Sequence, residues 1–170
     1  MKKKEGKRKK PKAAIPVLPS DFFLLPLLCK VPIFAGLDDH ALEILLEHAG
    51  RMVTQEGGVI AQEGEVNHCM YLIESGEVCI IKNFKTPNPV QLAVLGAGDF
   101  FGEMCILETL PRCATGKAVG EATVISIASS AFYHLYQKAP KQYGILVLNM
   151  ARDLSRRLRH LDEVFAATSH

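Results

Sequence analysis

The spacing of hydrophobic and polar positions changes twice along the chain. Between residues 38 and 50 apolar residues recur every three or four positions, which predicts an amphipathic helix. From 51 to 127 short β-prone runs alternate with glycine, asparagine and proline, a pattern typical of strands joined by turns. After residue 129 the helical spacing returns. The predicted order is helices, then a block of strands, then helices.

Two helices are predicted before the strands. The first starts at Ser20 and is limited or kinked by Pro26. The second has Asp38 as its N-cap, because a short acidic side chain can accept a hydrogen bond from a free backbone N–H of the first turn. Gly50 is expected to end this second helix.

The central block predicts an antiparallel β-roll. Its predicted strands are 51–55, 59–61, 69–73, 78–82, 90–95, 117–119 and 123–127. Many short strands with no helices between them favour a β-roll or jelly roll (a double-stranded β-helix, cupin-like) over a parallel α/β sheet. The predicted fold class is therefore mainly β, with N-terminal helices and a long C-terminal helix.

Two helices are predicted after the strands, the first capped by Ser129 or Ser130 and the last opened by Pro140. The last helix carries apolar residues at three- and four-residue spacing: Val147, Met150, Leu154, Leu158, Leu161 and Phe165. One half of this stripe is expected to cover the roll. The other half pairs with the same helix of a second copy, a candidate homodimer through residues 140–165, or folds onto its own domain.

The charge is divided unevenly along the 170 residues. Eight of the 20 basic residues lie in the first twelve positions with one acid, which leaves 12 basic and 17 acidic residues in the body. A net-acidic body does not favour nucleic-acid binding. The tail either docks to nucleic acid or another anionic surface, or is a solvated, disordered tail. We divide the chain into a basic tail and proline-rich linker (1–19), a β-roll with its N-terminal helices (20–139) and a covering or dimerisation helix (140–170).

Other residue types limit the function classes. The five cysteines form no metal-ligand spacing and predict reduced core thiols in a cytosolic protein. The six histidines show no metal spacing either, and no Ser–His–acid arrangement is found, so neither a metal site nor an enzyme is expected. Prolines, Asp21 and Lys30 interrupt the N-terminal apolar segment, which argues against a signal peptide and a membrane span.

The chemistry of the chain concentrates between residues 98 and 115. A turn of helix starting at Gly102 would leave free backbone N–H groups that favour an anion, and glycine lets a ligand approach the backbone. Glu103 can accept hydrogen bonds from sugar hydroxyls, and Arg112 can hold a phosphate with two parallel donors. Together these residues predict a pocket for a sugar phosphate.

Each of these charged residues also has an alternative role. Glu103 alone fits an acid at a helix N-terminus, and Arg112 alone fits an ion pair with Glu108 or another surface acid. A buried arginine without an anion is energetically costly. The pocket is therefore expected to be filled by phosphate or closed by a carboxylate.

The motifs Phe-Gly-Glu-Met-Cys-Ile-Leu at 101–107 and Pro-Arg-Cys-Ala-Thr at 111–115 resemble the phosphate-binding cassette of cyclic nucleotide-binding domains. The resemblance covers residues 27–165. It implies that Glu103 binds the ribose 2′-hydroxyl and Arg112 the exocyclic phosphate oxygens. The remaining ligand-binding residues that it implies are Gly102, Met104, Cys105, Cys113 and Ala114, with the Gly102 carbonyl and the amides of Cys105 and Cys113 completing the cradle.

The resemblance also bears on the choice of nucleotide. Cys113 stands where family members that favour cyclic GMP often carry threonine, and a thiol is a weak donor. Cyclic AMP is therefore expected to bind in preference to cyclic GMP. Arg157 lies near the position at which the family covers the base, which makes it a candidate base cap, with an exposed ion pair as the alternative.

The resemblance implies a non-enzymatic cytoplasmic sensor that binds a cyclic nucleotide, moves its C-terminal helix and acts on an effector protein not identified by the sequence. The alternative is a ligand-free interaction module of the same fold that acts through a dimer helix. A third hypothesis is a nucleic-acid accessory driven by the basic tail. Only residues 166–170 follow the long helix, so sequence-specific DNA binding is not expected.

Overall fold

The computed structural model describes residues 15–16, 24–108 and 110–168. The helices are α1 (Leu25–Leu28), α2 (Asp39–Leu46), α3 (Met104–Glu108), α4 (Ser129–Lys138) and α5 (Pro140–Thr168), with a 3₁₀ turn at Pro32–Phe34. The strands are β1 (Ile15–Pro16), β2 (Ala49–Thr54), β3 (Val59–Ala61), β4 (Cys69–Ser75), β5 (Val78–Lys82), β6 (Val90–Leu95), β7 (Phe100–Phe101), β8 (Thr115–Ala118) and β9 (Ala122–Ala128). The predicted tail 1–12 and helix start at Ser20 lie outside the described residues, as does most of the linker.

Two antiparallel sheets form the body of the protein. One has the strand order β1-β2-β9-β4-β7 and the other β3-β8-β5-β6. Strand β9 lies at the centre of the first sheet and pairs with β2 on one side and β4 on the other. This arrangement confirms the predicted antiparallel β-roll with flanking helices and a long C-terminal helix.

All seven predicted strands are present, and where their ends differ the difference is one or two residues. Strands β3, β5 and β6 have the predicted bounds. Strands β1 and β7 were not predicted, because each has two residues and cannot show a periodic pattern. Strand β7 nevertheless pairs with β4, with Phe101 opposite Tyr71.

Of the four predicted helix ends that fall on described residues, two are confirmed and two are wrong. Pro140 is the first residue of α5, as predicted. Asp38 is the N-cap of α2, and its Oδ1 accepts a hydrogen bond from Ala41 N at 2.8 Å. Gly50 does not end α2, which stops at Leu46, because Gly50 pairs with Ser126 in the β2–β9 ladder. Neither Ser129 nor Ser130 caps α4: both are helical, and the N-cap residue Ala128 still belongs to strand β9.

Two hydrophobic clusters fill the interior and meet at β7. The helical cluster packs α1, α2, α4 and α5 on one face of the first sheet and includes Phe100. The second cluster lies between the two sheets and includes Phe101. Successive strand residues point to opposite faces, so β7 is fixed by both cores, and the residues that follow it are held in place.

Helix α5 is buried only near its start. Leu146 and Met150 are buried in the helical cluster, and Asn149 Nδ2 donates to Ala35 O at 2.7 Å. Beyond these residues the apolar side chains Leu158, Leu161 and Phe165 are exposed. None of the helices in the described segments is both long enough and apolar enough to cross a bilayer.

All five cysteines lie among the described residues and are free thiols. Cys105 is buried, but Cys29 and Cys113 are exposed, so the prediction that the cysteines are core thiols is wrong for these two. Cys29 follows the end of α1, and Cys113 lies two residues before β8, so both lie outside the apolar strand interiors on which the prediction relied.

Candidate functional site

The turn after β7 requires a glycine. Gly102 has a φ of 86°, in the left-handed region that side chains disfavour. A Cβ added at Gly102 would overlap Nη1 of Arg112 and lie 3.0 Å from Cys69 O. The backbone at Gly102 therefore lies directly against the guanidinium group of Arg112.

Glu103 is almost completely buried, with 3% of its surface exposed. Its backbone carbonyl accepts hydrogen bonds from Ile106 N at 3.0 Å and Leu107 N at 3.2 Å, which starts the turn of α3. Its side-chain Oε1 accepts a hydrogen bond from Arg157 Nη1 at 3.0 Å. Burial raises the pKa of the Glu103 carboxyl, and the positive charge of Arg157 opposes that rise.

Arg112 is also buried, with 4% of its surface exposed, and its guanidinium binds backbone. Nη2 donates to Cys69 O at 2.5 Å and Nη1 to Gly102 O at 3.4 Å, and the group lies 5.0 Å from the centre of the Tyr71 ring. Among the described residues Nε has no hydrogen-bond partner and no carboxylate pairs with the guanidinium. The alternative role of Arg112, an ion pair with Glu108 or another surface acid, is therefore not what satisfies this cation.

The backbone of Arg112 is fixed as firmly as its side chain. Its N–H donates to Glu65 O at 2.9 Å, and its carbonyl accepts from Gly64 N at 2.9 Å. These two bonds attach Arg112 to the turn before β4. The guanidinium is thus held from both ends of the residue, which limits the directions in which it can present its donors.

The structure brings the two cassette segments together. Met104 Sδ lies 4.0 Å from Cys113 Sγ, and Arg112 contacts Gly102. Cys105 is buried, and its carbonyl lies 3.2 Å from His68 Nδ1, whereas Ala114 is partly buried immediately before β8. All the cassette residues named from the sequence therefore lie near one another, and their contacts with a ligand stay a prediction.

Arg157 reaches the cassette from α5. It is 45% exposed, its Nε lies 2.8 Å from Asp153 Oδ2, and its guanidinium lies 5.0 Å from the centre of the Phe100 ring. Its Nη1 forms the ion pair with Glu103 described above. The alternative of an ion-paired arginine thus describes its present contacts, and its role as a base cap stays a prediction.

Sequence reasoning missed several groups around the cassette. Lys82 Nζ donates to Cys113 O at 2.6 Å and forms an ion pair with Glu63 Oε1 at 2.6 Å. This lysine lowers the pKa of the Glu63 carboxyl. Tyr71 and the Cys69 carbonyl contact Arg112 from β4. Of these groups only Asp153 could have been found from the sequence. It stands four positions before Arg157 on the same predicted helix, a spacing at which opposite charges form ion pairs.

Metal ligation offers no alternative explanation for this cluster. Within the part of the chain that the structure describes, no group of three or more His, Cys, Asp and Glu side chains could hold a metal ion. The site therefore consists of one buried carboxylate, one buried guanidinium and the backbone around them. Such a set can bind a hydroxyl and an anion side by side.

Known proteins are similar to this chain in sequence and in fold. A cyclic AMP receptor protein of Thermus thermophilus is 29% identical over 131 residues, 77% of this chain and 59% of that protein. A cAMP-dependent protein kinase regulatory subunit of Candida albicans is 35% identical over 105 residues, 62% of this chain and 22% of that protein. The chain thus spans less than two thirds of the length of either relative.

A solved structure agrees with these relatives. The Thermus thermophilus catabolite activator protein superposes with a TM-score of 0.69 at 28% identity, covering 81% of this chain and 63% of that one. Residues 51–139, which include the cassette, match the sequence pattern of the cyclic nucleotide-binding domain. The chain belongs to the cyclic nucleotide-binding domain family.

Proposed function

We propose that this chain is a cytoplasmic regulatory module that binds a 3′,5′-cyclic nucleotide, with cyclic AMP preferred over cyclic GMP. The observation that carries the proposal is Arg112, a 4%-exposed cation with an unpartnered Nε and no carboxylate partner among the described residues. A buried charge that is only partly satisfied is costly in a folded protein. An anionic phosphate would supply the missing partner.

Glu103 supports the sugar half of the ligand. Its carboxylate is 3% exposed and lies one residue beyond the Gly102 backbone that contacts Arg112. A carboxylate is an acceptor for sugar hydroxyls, and a guanidinium is a bidentate donor to phosphate oxygens. A cyclic nucleotide carries both groups close together on one ring, which fits a site where acceptor and donor are neighbours.

The preference for cyclic AMP rests on Cys113 and on the relatives. Cys113 is exposed beside Met104, and a thiol is a weak donor to a guanine ring. Two relatives described above carry cyclic AMP in their names. Free thiols are also consistent with the reducing environment of the cytoplasm.

Calorimetry with cyclic AMP and cyclic GMP tests the proposal. We expect both to bind and cyclic AMP to bind more tightly. Arg112→Ala should weaken the binding of cyclic AMP by roughly 30-fold or more, because losing one partner of a desolvated charge pair costs about 2–5 kcal/mol. Arg156→Ala, which removes an exposed cation from the same protein, is the matched control. Absence of binding to the intact chain, or full affinity in a folded Arg112→Ala variant, would overturn the proposal.

The output of binding is proposed to be a movement of α5. Beyond Met150 this helix contacts the cassette through Arg157, so a ligand at Glu103 would act on it directly. A ligand shifts such an equilibrium only by its differential affinity for the two arrangements. Hydrogen exchange of residues 153–168 with and without cyclic AMP should differ, and identical exchange would contradict the movement.

A second candidate function is pairing of α5 with a second copy, independent of ligand. The exposed Leu158 and Leu161, at 61% and 62%, favour it because apolar side chains at this spacing suit a helix partner. Leu161→Glu should lower the mass seen by sedimentation if the helices pair. His160→Glu adds the same charge one position away and serves as the control.

A further inference from the structure

We propose that Arg157 is an internal competitor of the nucleotide: it occupies the Glu103 carboxylate in the free protein, and the ribose hydroxyl must displace it. This inference rests on the proposed function, because it concerns the same carboxylate. It differs from the base-cap hypothesis, in which Arg157 only adds contacts after the ligand has bound.

The geometry gives Arg157 three contacts, of which two are at or next to the cassette and one is on its own helix. Nη1 lies 3.0 Å from Glu103 Oε1, Nε lies 2.8 Å from Asp153 Oδ2, and the guanidinium lies 5.0 Å from the Phe100 ring centre. Phe100 immediately precedes the cassette and is held in the helical core. The guanidinium is therefore placed on the carboxylate that the proposed ribose contact would need.

The burial of Glu103 explains why an internal counter-ion is needed. A carboxylate that is 3% exposed is costly to ionise unless a positive charge lies beside it. Its nearest hydrogen-bonded cation is Arg157, whereas Arg112 hydrogen-bonds backbone carbonyls. In the free protein Arg157 thus does for Glu103 what a ligand hydroxyl would do in the complex.

The same contacts allow Arg157 to leave. Its side chain is 45% exposed, so it can swing into solvent without disturbing the core. Asp153, one turn earlier on α5, would keep an ion pair with it after release. When the ribose hydroxyl displaces Arg157 from Glu103, Arg157 therefore loses one of its two ion pairs and keeps the one with Asp153.

The two roles of Arg157 predict opposite effects on affinity. A competitor lowers the apparent affinity, because binding must include the free energy of opening the ion pair. Its removal should then tighten binding. A base cap adds favourable contacts in the complex, so its removal should weaken binding.

The test is calorimetry of cyclic AMP with the full chain carrying Arg157→Ala, Arg157→Lys or Arg156→Ala. We expect Arg157→Ala to tighten binding by about two- to fivefold, the upper range of a partly exposed ion pair. Arg157→Lys keeps the charge and should lie nearer the unaltered chain. Arg156→Ala removes a charge one residue earlier, where the ion pair is with Asp153 alone, and should change affinity less than twofold. Weakened or unchanged binding in Arg157→Ala would overturn the proposal.

A ligand-free measurement separates this inference from the proposed function. Without nucleotide, Arg157→Ala should speed hydrogen exchange in residues 153–168, because α5 loses its attachment to the cassette, and Arg156→Ala should not. If neither the intact chain nor Arg157→Ala binds a cyclic nucleotide, the proposed function fails and competition at Glu103 fails with it. If the intact chain binds and the exchange of 153–168 is unaltered in Arg157→Ala, only the inference about Arg157 fails.

Discussion

Asp38 and Gln142, 104 residues apart, cap the start of α2 together. Gln142 Nε2 donates to Asp38 Oδ2 at 2.7 Å, and Gln142 Oε1 accepts from Asp38 N at 3.3 Å. The other oxygen of Asp38 accepts from Ala41 N. This is the reciprocal pattern of a capping box, with the amide supplied by a distant helix. The first turn of α5 is thereby attached to the first turn of α2.

Asp38→Ala should lower the free energy of unfolding by about 0.5–2 kcal/mol, because it removes the N-cap as well as the contact with α5. Gln142→Ala should lower it by about 0.5–1.5 kcal/mol, because Asp38 still caps Ala41 in that variant. Urea unfolding measures both. The double variant should lose less stability than the sum of the two single losses, since both single variants remove the same Asp38–Gln142 contact. Strict additivity would show that the contact contributes nothing.

Gly102→Ala should both destabilise the protein and abolish nucleotide binding. The left-handed backbone costs about 1–2 kcal/mol for a residue with a Cβ, and the overlap with Arg112 adds to it. Gly98→Ala is the matched control, because Gly98 also has a positive φ, of 90°, but no atom lies within 4 Å of its added Cβ. Urea unfolding and calorimetry should separate the two variants. Equal losses in both would show that strain alone matters at Gly102.

The raised pKa of Glu103 makes a definite contribution to the pH dependence of stability. A carboxyl whose pKa is above its ordinary 4.5 in the folded state favours folding when protonated, so its ionised form opposes folding at neutral pH. As the pH falls from the raised pKa to 4.5, the intact chain should therefore gain stability relative to Glu103→Gln. Below 4.5 the difference in stability between the two proteins should stay constant. Urea unfolding at several pH values checks this, and the carboxyl carbon signal of Glu103 gives the midpoint. A midpoint below 4.5 would contradict the direction of the shift.

Tyr71 is expected to matter through its ring rather than its hydroxyl. The ring stacks on Phe101 at 5.1 Å and lies under the Arg112 guanidinium, whereas the hydroxyl accepts one hydrogen bond, from Asn67, at 3.3 Å. Tyr71→Ala should lower the free energy of unfolding by about 3–5 kcal/mol, because it removes a buried ring. It should also weaken the binding of cyclic AMP, because Arg112 loses the ring that orients its guanidinium. Tyr71→Phe should cost about 1 kcal/mol. Exposed Tyr133→Ala, measured by the same unfolding experiment, should stay within about 0.5 kcal/mol.

The order of the strands along the chain could be predicted because the turn-forming residues lie next to the strands that they end. Strands β3, β5 and β6 have the expected bounds, since glycine, asparagine or proline lies close to each of them. Gly50 and Ser129 were assigned wrongly because the β2–β9 and β4–β9 ladders extend the strands beyond their local preferences. Pairing across a sheet depends on residues distant in sequence, which a pattern along the chain does not contain.

The candidate site divides in the same way. The proximity of Gly102 to Arg112 could be predicted because both belong to one short motif. The ion pair of Arg157 with Glu103 could not, because it joins residues 54 apart and depends on how α5 lies on the roll. The Cys69 carbonyl was equally hidden, since any residue type can offer a backbone oxygen.

The 29 residues of α5 form one uninterrupted rod of about 43 Å, fixed to the helical core only near its start. The part beyond Met150 is then a lever about 27 Å long. A tilt of about ten degrees at the fixed end would move its tip by about 5 Å, more than twice the movement at Arg157, which lies about 10 Å beyond Met150 along the helix. A protein that binds the end of α5 would therefore respond to this larger displacement without contacting the nucleotide.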